Sequence, residues 1–127
     1  MDKKRIAVIE DDVTLSKVMC DELSDAGFSP FPFLDGESGL AFVQKEKPDL
    51  VLLDIYMPKK DGVAVLKELK ASPDTKDIPV LILTVSMSEK RLREAVELGA
   101  EGYRIKSEFA VGEIVESLKS FFDKKSI

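Results

Sequence analysis

Hydrophobic and polar residues follow two alternating patterns along this chain. Short apolar runs are typical of buried strands, and longer segments with an apolar residue every three or four positions are typical of amphipathic helices. The apolar runs predict five strands, at residues 5–9, 28–33, 50–53, 79–83 and 102–105. A helical pattern follows each of them, so the chain reads as five strands alternating with five helices.

Two of the predicted strands belong at the edges of a sheet. The strand at 28–33 contains Pro30 and Pro32. Proline has no backbone N–H to donate, so this strand cannot complete the hydrogen bonds to two neighbouring strands and belongs at an edge. The strand at 102–105 is shorter and more polar than the two before it. Alternating strands and helices imply a parallel sheet covered on both faces, with right-handed crossovers. The two edges then match a flavodoxin-like α/β fold, a doubly wound sheet with strand order 2-1-3-4-5.

The fourth predicted helix has a clear beginning. Ser86 and Glu89 have the spacing of a capping box, and we expect the helix to bury Leu92, Ala95 and Val96 before it ends at Gly99. Its basic residues are interpreted as a solvated face: Lys90, Arg91 and Arg93.

Polar residues follow four of the strands at the point where each ends. They are Glu10 and Asp11 after the first strand, Asp54 after the third, Thr84 after the fourth and Lys106 after the fifth. Parallel strands bring these residues to one sheet edge, beside the point where the winding reverses between the first and third strands. A single such residue is commonly the start of a solvated loop, and either Asp11 or Asp12 could simply cap the first helix. Their coincidence predicts a functional site.

The residue types at this edge indicate phosphoryl chemistry. Three carboxylates in one pocket repel each other, which requires either a raised pKa on one of them or a hard cation. Mg²⁺ prefers such oxygen ligands together with water and a phosphate. Lys106 offers a positive charge, Thr84 offers a hydroxyl donor, and Asp54 is a nucleophile able to form an acyl phosphate.

Composition narrows the possible functions. At 127 residues the chain fits one domain, and it has no histidine, which excludes His-based acid–base catalysis and His-ligated metals. A net charge of −5 argues against nucleic acid as a direct partner. No apolar run approaches a membrane span, and the single Cys20 cannot form an internal disulfide. We therefore expect a cytoplasmic protein without a membrane or nucleic-acid partner.

Together these motifs resemble the receiver domain of two-component response regulators, of the single-domain kind found among chemotaxis regulators. They are Glu10-Asp11, Asp54 with Met57-Pro58 and Asp61-Gly62 after it, Thr84, and Lys106 preceded by Tyr103. The resemblance covers essentially residues 4–123 of a single domain that we place at 1–127.

The resemblance implies a role for each residue of the site. Asp54 would be the phosphoacceptor, taking a phosphoryl group from a phosphohistidine on a sensor histidine kinase or a histidine phosphotransfer protein. Asp11, Asp54 and the backbone carbonyl of Tyr56 would bind Mg²⁺, with Glu10 acting mainly through water. Lys106 would pair with the phosphoryl group.

The resemblance also implies a phosphorylation-dependent switch rather than a metabolic enzyme, although the domain would assist its own phosphotransfer and dephosphorylation. Thr84 would move toward the phosphoryl group, and Tyr103 would follow on the face made by the fourth helix, fifth strand and fifth helix. The signal would pass to a downstream protein target or a fused effector. A stand-alone regulator is the interpretation we favour, and a receiver excised from a longer chain is the alternative.

Three positions depart from the family pattern. Ser107 follows Lys106 where many receivers have proline, and Val85 follows Thr84 where the family usually has a small residue. Tyr56 places a bulky side chain two positions after Asp54. As a hypothesis, Tyr56 shields the acyl phosphate from water and lengthens its life.

Other functions fit the residues less well. Haloacid dehalogenase-type phosphatases need a second aspartate at the position of Tyr56, and an FMN binder would not place Glu10, Asp11 and Asp12 where a phosphate must lie. A receiver-like docking module that is not phosphorylated stays as the alternative function.

Overall fold

A computed structural model of the chain describes residues 3–57, 60–84, 89–105 and 111–126. The strands are β1 Arg5–Ile9, β2 Ser29–Phe33, β3 Leu50–Asp54, β4 Val80–Thr84 and β5 Gly102–Ile105. The helices are α1 Val13–Asp25, α2 Gly36–Glu46, α3 Gly62–Ala71, α4 Glu89–Glu97 and α5 Val111–Ser126. The predicted alternation of strands and helices is confirmed.

All strand pairs in the described sheet are parallel, and the strand order is β2-β1-β3-β4-β5. This confirms the predicted flavodoxin-like fold. The proline-containing strand β2 pairs with β1 at one edge, and β5 pairs with β4 at the other. The winding reverses between β1 and β3, whose register places Ile9 beside Leu53. The next residues along these two strands therefore emerge side by side.

The sheet buries both of its faces. Alternate residues of a strand point to opposite sides, so Ala7 and Ile9 of β1 pack in one core while Ile6 and Val8 pack in the other. Helices α2, α3 and α4 cover the first core, and α1 and α5 cover the second. The whole of β3 is buried, which explains its uninterrupted apolar run. Among the described residues, no helix combines the length and the apolar character needed to cross a membrane.

Helix α4 differs from its prediction at one position. Ala95 is buried and Leu92 is partly buried, but the Val96 side chain is 58% exposed, so the expectation that it is buried was wrong. The helix packs on the domain along a narrow stripe around Ala95, and the next residue lies about 100° further round the helix, away from that stripe. The predicted capping residue Ser86 lies outside the described residues.

Candidate functional site

The tips of β1 and β3 carry two buried acidic side chains. Because Ile9 pairs with Leu53, Glu10 follows β1 directly beside Asp54, the last residue of β3. The Glu10 side chain is 2% exposed and that of Asp54 is 4% exposed. In the part of the chain that the structure describes, these are the two buried charged residues. Burying ionised carboxylates is costly, so their position at one spot indicates a function.

A third carboxylate completes the cluster. Carboxylate oxygens of Glu10, Asp11 and Asp54 all lie within 4.8 Å of one another, and Asp11 is exposed to solvent. The capping residue of α1 is Asp12, whose side chain accepts a hydrogen bond from the N–H of Leu15 at 3.0 Å. Asp11 is therefore not needed to cap the helix, and it joins the acidic pocket, as predicted.

Backbone N–H groups orient the two buried carboxylates. The N–H of Asp12 donates to Oε2 of Glu10 at 3.0 Å, and the N–H of Tyr56 donates to Oδ1 of Asp54 at 3.4 Å. Each carboxylate is thus bonded to the peptide two residues further along its own chain segment. These backbone hydrogen bonds tie each carboxylate to its own strand tip.

The donor atoms of the pocket suit a hard divalent cation. All three side chains offer carboxylate oxygen, the ligand type that Mg²⁺ and Ca²⁺ prefer, and the three like charges repel each other when no cation lies between them. The exposed Asp11 leaves the pocket accessible from solvent. The residues present therefore fit a magnesium site.

The start of α3 packs tightly against the end of β3. The N–H of Gly62 donates to the carbonyl of Ile55 at 2.8 Å. A Cβ at Gly62 would collide with the Asp54 carbonyl oxygen and would lie 2.7 Å from the Ile55 Cα. Only a residue without a side chain allows this approach. The tip of β3 and the start of α3 therefore behave as one unit.

Asp61 caps the N-terminus of α3, and the pKa of its carboxyl is shifted. Its Oδ1 accepts the N–H of Ala64 at 3.0 Å, and its Oδ2 lies 3.3 Å from a guanidinium nitrogen of Arg91 on α4. Burial by itself would raise the pKa of Asp61, but the Ala64 hydrogen bond and the Arg91 guanidinium outweigh it and lower the pKa below its ordinary value. Asp61 is thus held in its charged form.

Arg91 is the residue of this region that the sequence interpretation missed. Its guanidinium carbon lies 5.8 Å from the ring centroid of Tyr56, in addition to its ion pair with Asp61. The interpretation of Arg91 as part of a solvated face was wrong. Arg91 precedes the buried Ala95 by four positions, which places both on one face of α4, and this spacing was the available signal.

The remaining predicted site residues are only partly described. Thr84 is the last residue of β4 and pairs in register with Ile105, but its side chain lies outside what the structure describes. Lys106 and Ser107 lie outside the described residues. Tyr103 lies on the edge strand β5 with its side chain about half exposed.

Fold and site together define the class of this protein. It is a doubly wound α/β domain with an acidic pocket, suited to a cation, at the point where the winding of the sheet reverses. The model of the response regulator receiver domain family matches residues 6–119. The chain therefore belongs to the response regulator receiver domain family, which confirms the resemblance recognised in the sequence and places the chain in two-component signal transduction.

Known proteins support this assignment across the whole domain. The Mn(2+)-bound form of response regulator Rcp1 is 34% identical, with a TM-score of 0.83 over 94% of each chain. The Vibrio cholerae chemotaxis protein CheY4 is 25% identical, with a TM-score of 0.85 over 94% of this chain and 98% of its own. The Escherichia coli phosphate regulon transcriptional regulatory protein PhoB is 34% identical over 92% of this chain.

The curated relatives are longer than this chain. The match covers 51% of the length of PhoB. It covers 43% of the probable transcriptional regulator ycf27 of Cyanophora paradoxa, which is 36% identical over 84% of this chain. The chain thus spans about half the length of these relatives.

Proposed function

We propose that Asp54 is the phosphoacceptor of this receiver domain. The observation that carries the proposal is the burial of Asp54 at the tip of β3, within 4.8 Å of two further carboxylates. An Asp54 carboxylate oxygen would attack the phosphorus of a phosphohistidine. The phosphorus–nitrogen bond would break, and its electron pair would return to the imidazole of the partner. The donor would be a sensor histidine kinase or a histidine phosphotransfer protein.

Asp11 and Asp54 would hold Mg²⁺ directly, with the backbone carbonyl of Tyr56 as a further ligand and Glu10 acting through water. The bound cation would supply charge neutralisation for the incoming phosphoryl oxygens. The oxygen-only donor set supports this assignment. The similar response regulator Rcp1 is known in a Mn(2+)-bound form, which also supports a divalent cation here.

Three further residues would complete the response. Lys106, which directly follows β5, would balance the charge of the phosphoryl group, and Thr84 at the end of β4 would donate its hydroxyl to a phosphoryl oxygen. Tyr103 on β5 would change position with Thr84 and alter the face formed by α4, β5 and α5. The result is a two-state switch biased by one dianionic group, and the domain would assist both the gain and the loss of that group.

Membership of the family also supports a proposal for the cellular context. Residues 1–127 would form a single receiver domain, with its core at about 4–123, working in the cytoplasm. The output would be a downstream protein or a fused effector. Among the relatives, PhoB and ycf27 are transcriptional regulators that extend well beyond the matched region. Another similar structure is the receiver domain of a signal transduction histidine kinase from Syntrophus aciditrophicus, at 26% identity.

Acetyl phosphate tests the proposal, because it donates a phosphoryl group without a partner kinase. With Mg²⁺, intact-mass measurement should show one added phosphoryl group that is lost in base, and Asp54→Ala should show none. Asp12→Asn is the matched control, since asparagine also caps a helix and the variant should still be modified. A folded wild-type protein that gains no phosphoryl group would instead favour the docking module.

A further inference from the structure

Arg91 connects helix α4 to residues that follow Asp54 at the end of β3. A guanidinium nitrogen of Arg91 lies 3.3 Å from Oδ2 of Asp61, and its guanidinium carbon lies 5.8 Å from the ring centroid of Tyr56. A guanidinium is planar and can pair with a carboxylate at its edge while its face covers an aromatic ring, which an ammonium group cannot do equally well. The geometry suits arginine in particular.

Both contacts of Arg91 lead back to Asp54. The N–H of Tyr56 donates to Oδ1 of Asp54 at 3.4 Å. Asp61 is followed by Gly62, which packs on the Asp54 carbonyl. The guanidinium is therefore anchored on one side to a residue fixed against the tip of β3, and on the other side it contacts the ring of the residue that binds the Asp54 carboxylate.

The Tyr56 ring is partly open to solvent and has the Arg91 guanidinium over its face. Its side chain is 51% exposed, so packing alone restrains it weakly, and the backbone hydrogen bond fixes the peptide rather than the ring. A cation over the ring face is a specific restraint at such a site. Without it, the ring is free to adopt other rotamers toward solvent.

We propose that Arg91 is a positioning residue that holds the Tyr56 ring at the rim of the acidic pocket and thereby slows the loss of the phosphoryl group from Asp54. This inference rests on the proposed function. In hydrolysis, a water oxygen attacks the phosphorus, and the bond to the Asp54 carboxylate oxygen breaks. The carboxylate is regenerated, and inorganic phosphate leaves with the released proton passing to solvent. A ring fixed at the rim limits the approach of that water.

Arg93 provides a matched control on the same helix. It forms an ion pair with Glu89 at 3.3 Å, and the two side chains are 66% and 88% exposed. An exposed pair one turn apart on a helix contributes little to stability. Arg93→Ala therefore removes the same charge as Arg91→Ala from the same helix without touching Tyr56.

The first measurement tests the position of the ring directly. The chain has two tyrosines and no tryptophan, so Tyr103→Phe leaves Tyr56 as the sole strong fluorophore. In that background, acrylamide should quench the fluorescence of Tyr56 more efficiently after Arg91→Ala. Arg93→Ala should leave the quenching efficiency unchanged. Arg91→Lys should fall between these two, because lysine can pair with Asp61 but covers the ring less well. Equal quenching in the two alanine variants would show that Arg91 does not shield the Tyr56 ring.

The second measurement follows the phosphoryl group. After labelling with acetyl phosphate and removal of the donor, Tyr56→Ala and Arg91→Ala should each lose the group roughly threefold to tenfold faster than wild type. The double variant should be no faster than Tyr56→Ala, because Arg91 acts through that ring. Arg93→Ala should match wild type.

The outcomes separate this inference from the proposed function. Additive effects of the two substitutions, or an Arg91→Ala rate equal to that of Arg93→Ala, would overturn the role of Arg91. A wild-type protein that gains no phosphoryl group would overturn the proposed function, and the effect on the rate would fall with it. The quenching comparison would still decide whether Arg91 positions Tyr56.

Discussion

At the scale of single residues, Gly62 shows how closely the chain is packed around the acidic pocket. The collision that a side chain would cause here is with backbone atoms of Asp54 and Ile55, which cannot move aside as a flexible side chain can. Gly112, in the first turn of α5, has no atom of the described residues within 4 Å of the position that a Cβ would take. The two glycines therefore make a matched pair.

Gly62→Ala should lower the free energy of unfolding by about 1–3 kcal/mol, because the added methyl group forces the tip of β3 away from α3. Gly112→Ala should raise it by about 0.5 kcal/mol, since alanine favours a helix over glycine at an open position. Urea unfolding of both variants measures the difference. If Gly62→Ala were as stable as wild type, Gly62 would not pack as closely against the Asp54 backbone as described.

Asp61 makes the stability of the chain depend on pH. Its pKa in the folded protein lies below the ordinary value, so its charged form is favoured by folding. The stability it contributes is fully present above the unfolded-state pKa of about 3.9 and is lost as the pH falls through the lower folded-state pKa. The relevant window is therefore below about pH 4.

Carbon-13 NMR titration of the Asp61 carboxyl should show its pKa rising toward the ordinary value in Arg91→Ala, because the guanidinium that favours the charged form is gone. Arg93→Ala should leave the pKa unchanged. Asp61→Asn keeps a capping residue, so its stability deficit relative to wild type should shrink between pH 7 and pH 3. An unchanged pKa in Arg91→Ala would show that the ion pair is absent in solution.

At the scale of elements, the sequence predicted the sheet more completely than the helices around it. The apolar run from Leu50 to Leu53 can be satisfied only by burial on both faces, and Pro30 and Pro32 restrict their strand to an edge. These constraints are local, so they can be recognised without knowing the neighbours. The strand order followed from them.

The details of α4 could not be predicted in the same way. A helical stripe shows which side of the helix is more apolar, but its width depends on what packs there, and Val96 falls outside it. Arg91 contacts Tyr56 and Asp61, which are 35 and 30 positions earlier in the chain. Such a pairing has no local signal beyond the spacing of Arg91 and Ala95. The acidic pocket was predictable because parallel strands place their ends together.

The exposed position of Val96 makes a direct prediction for α4. Val96→Ala should change the free energy of unfolding by less than about 0.5 kcal/mol. The Val96 side chain buries little apolar surface on folding, and alanine has a higher helix propensity than valine. Val65→Ala in α3, where the side chain is fully buried, should cost about 2 kcal/mol. Thermal or urea unfolding compares the two. Equal costs would mean that α4 packs more deeply than described.

At the scale of the whole molecule, the fold gathers three like charges at one edge of the sheet, two of them buried and Asp11 exposed. Glu10, Asp11 and Asp54 repel each other in the absence of a cation, so the domain folds against this repulsion. A ligand that binds only the folded protein stabilises it by mass action. A divalent cation bound in the acidic pocket would therefore raise the stability of the fold.

Asp11→Asn should raise the thermal midpoint of the metal-free protein, because it removes one of three like charges from an accessible position. Mg²⁺ should stabilise the wild type, by about 2.7 kcal/mol at a concentration 100-fold above Kd, and should have little effect on Asp11→Asn. Calorimetric melts with EDTA and with Mg²⁺ measure both effects. A wild-type midpoint that does not respond to Mg²⁺ would contradict the magnesium site.

We propose that one carboxylate among the acids of this pocket, that of Asp54, accepts the phosphoryl group. Borohydride reduces an acyl phosphate to an alcohol, so the labelled aspartate becomes homoserine and can be located by peptide mass. After labelling with acetyl phosphate and Mg²⁺, we expect homoserine at position 54 and unchanged aspartate at Asp11, Asp12 and Asp61. Homoserine at one of those positions, or at none in a folded and labelled protein, would contradict it.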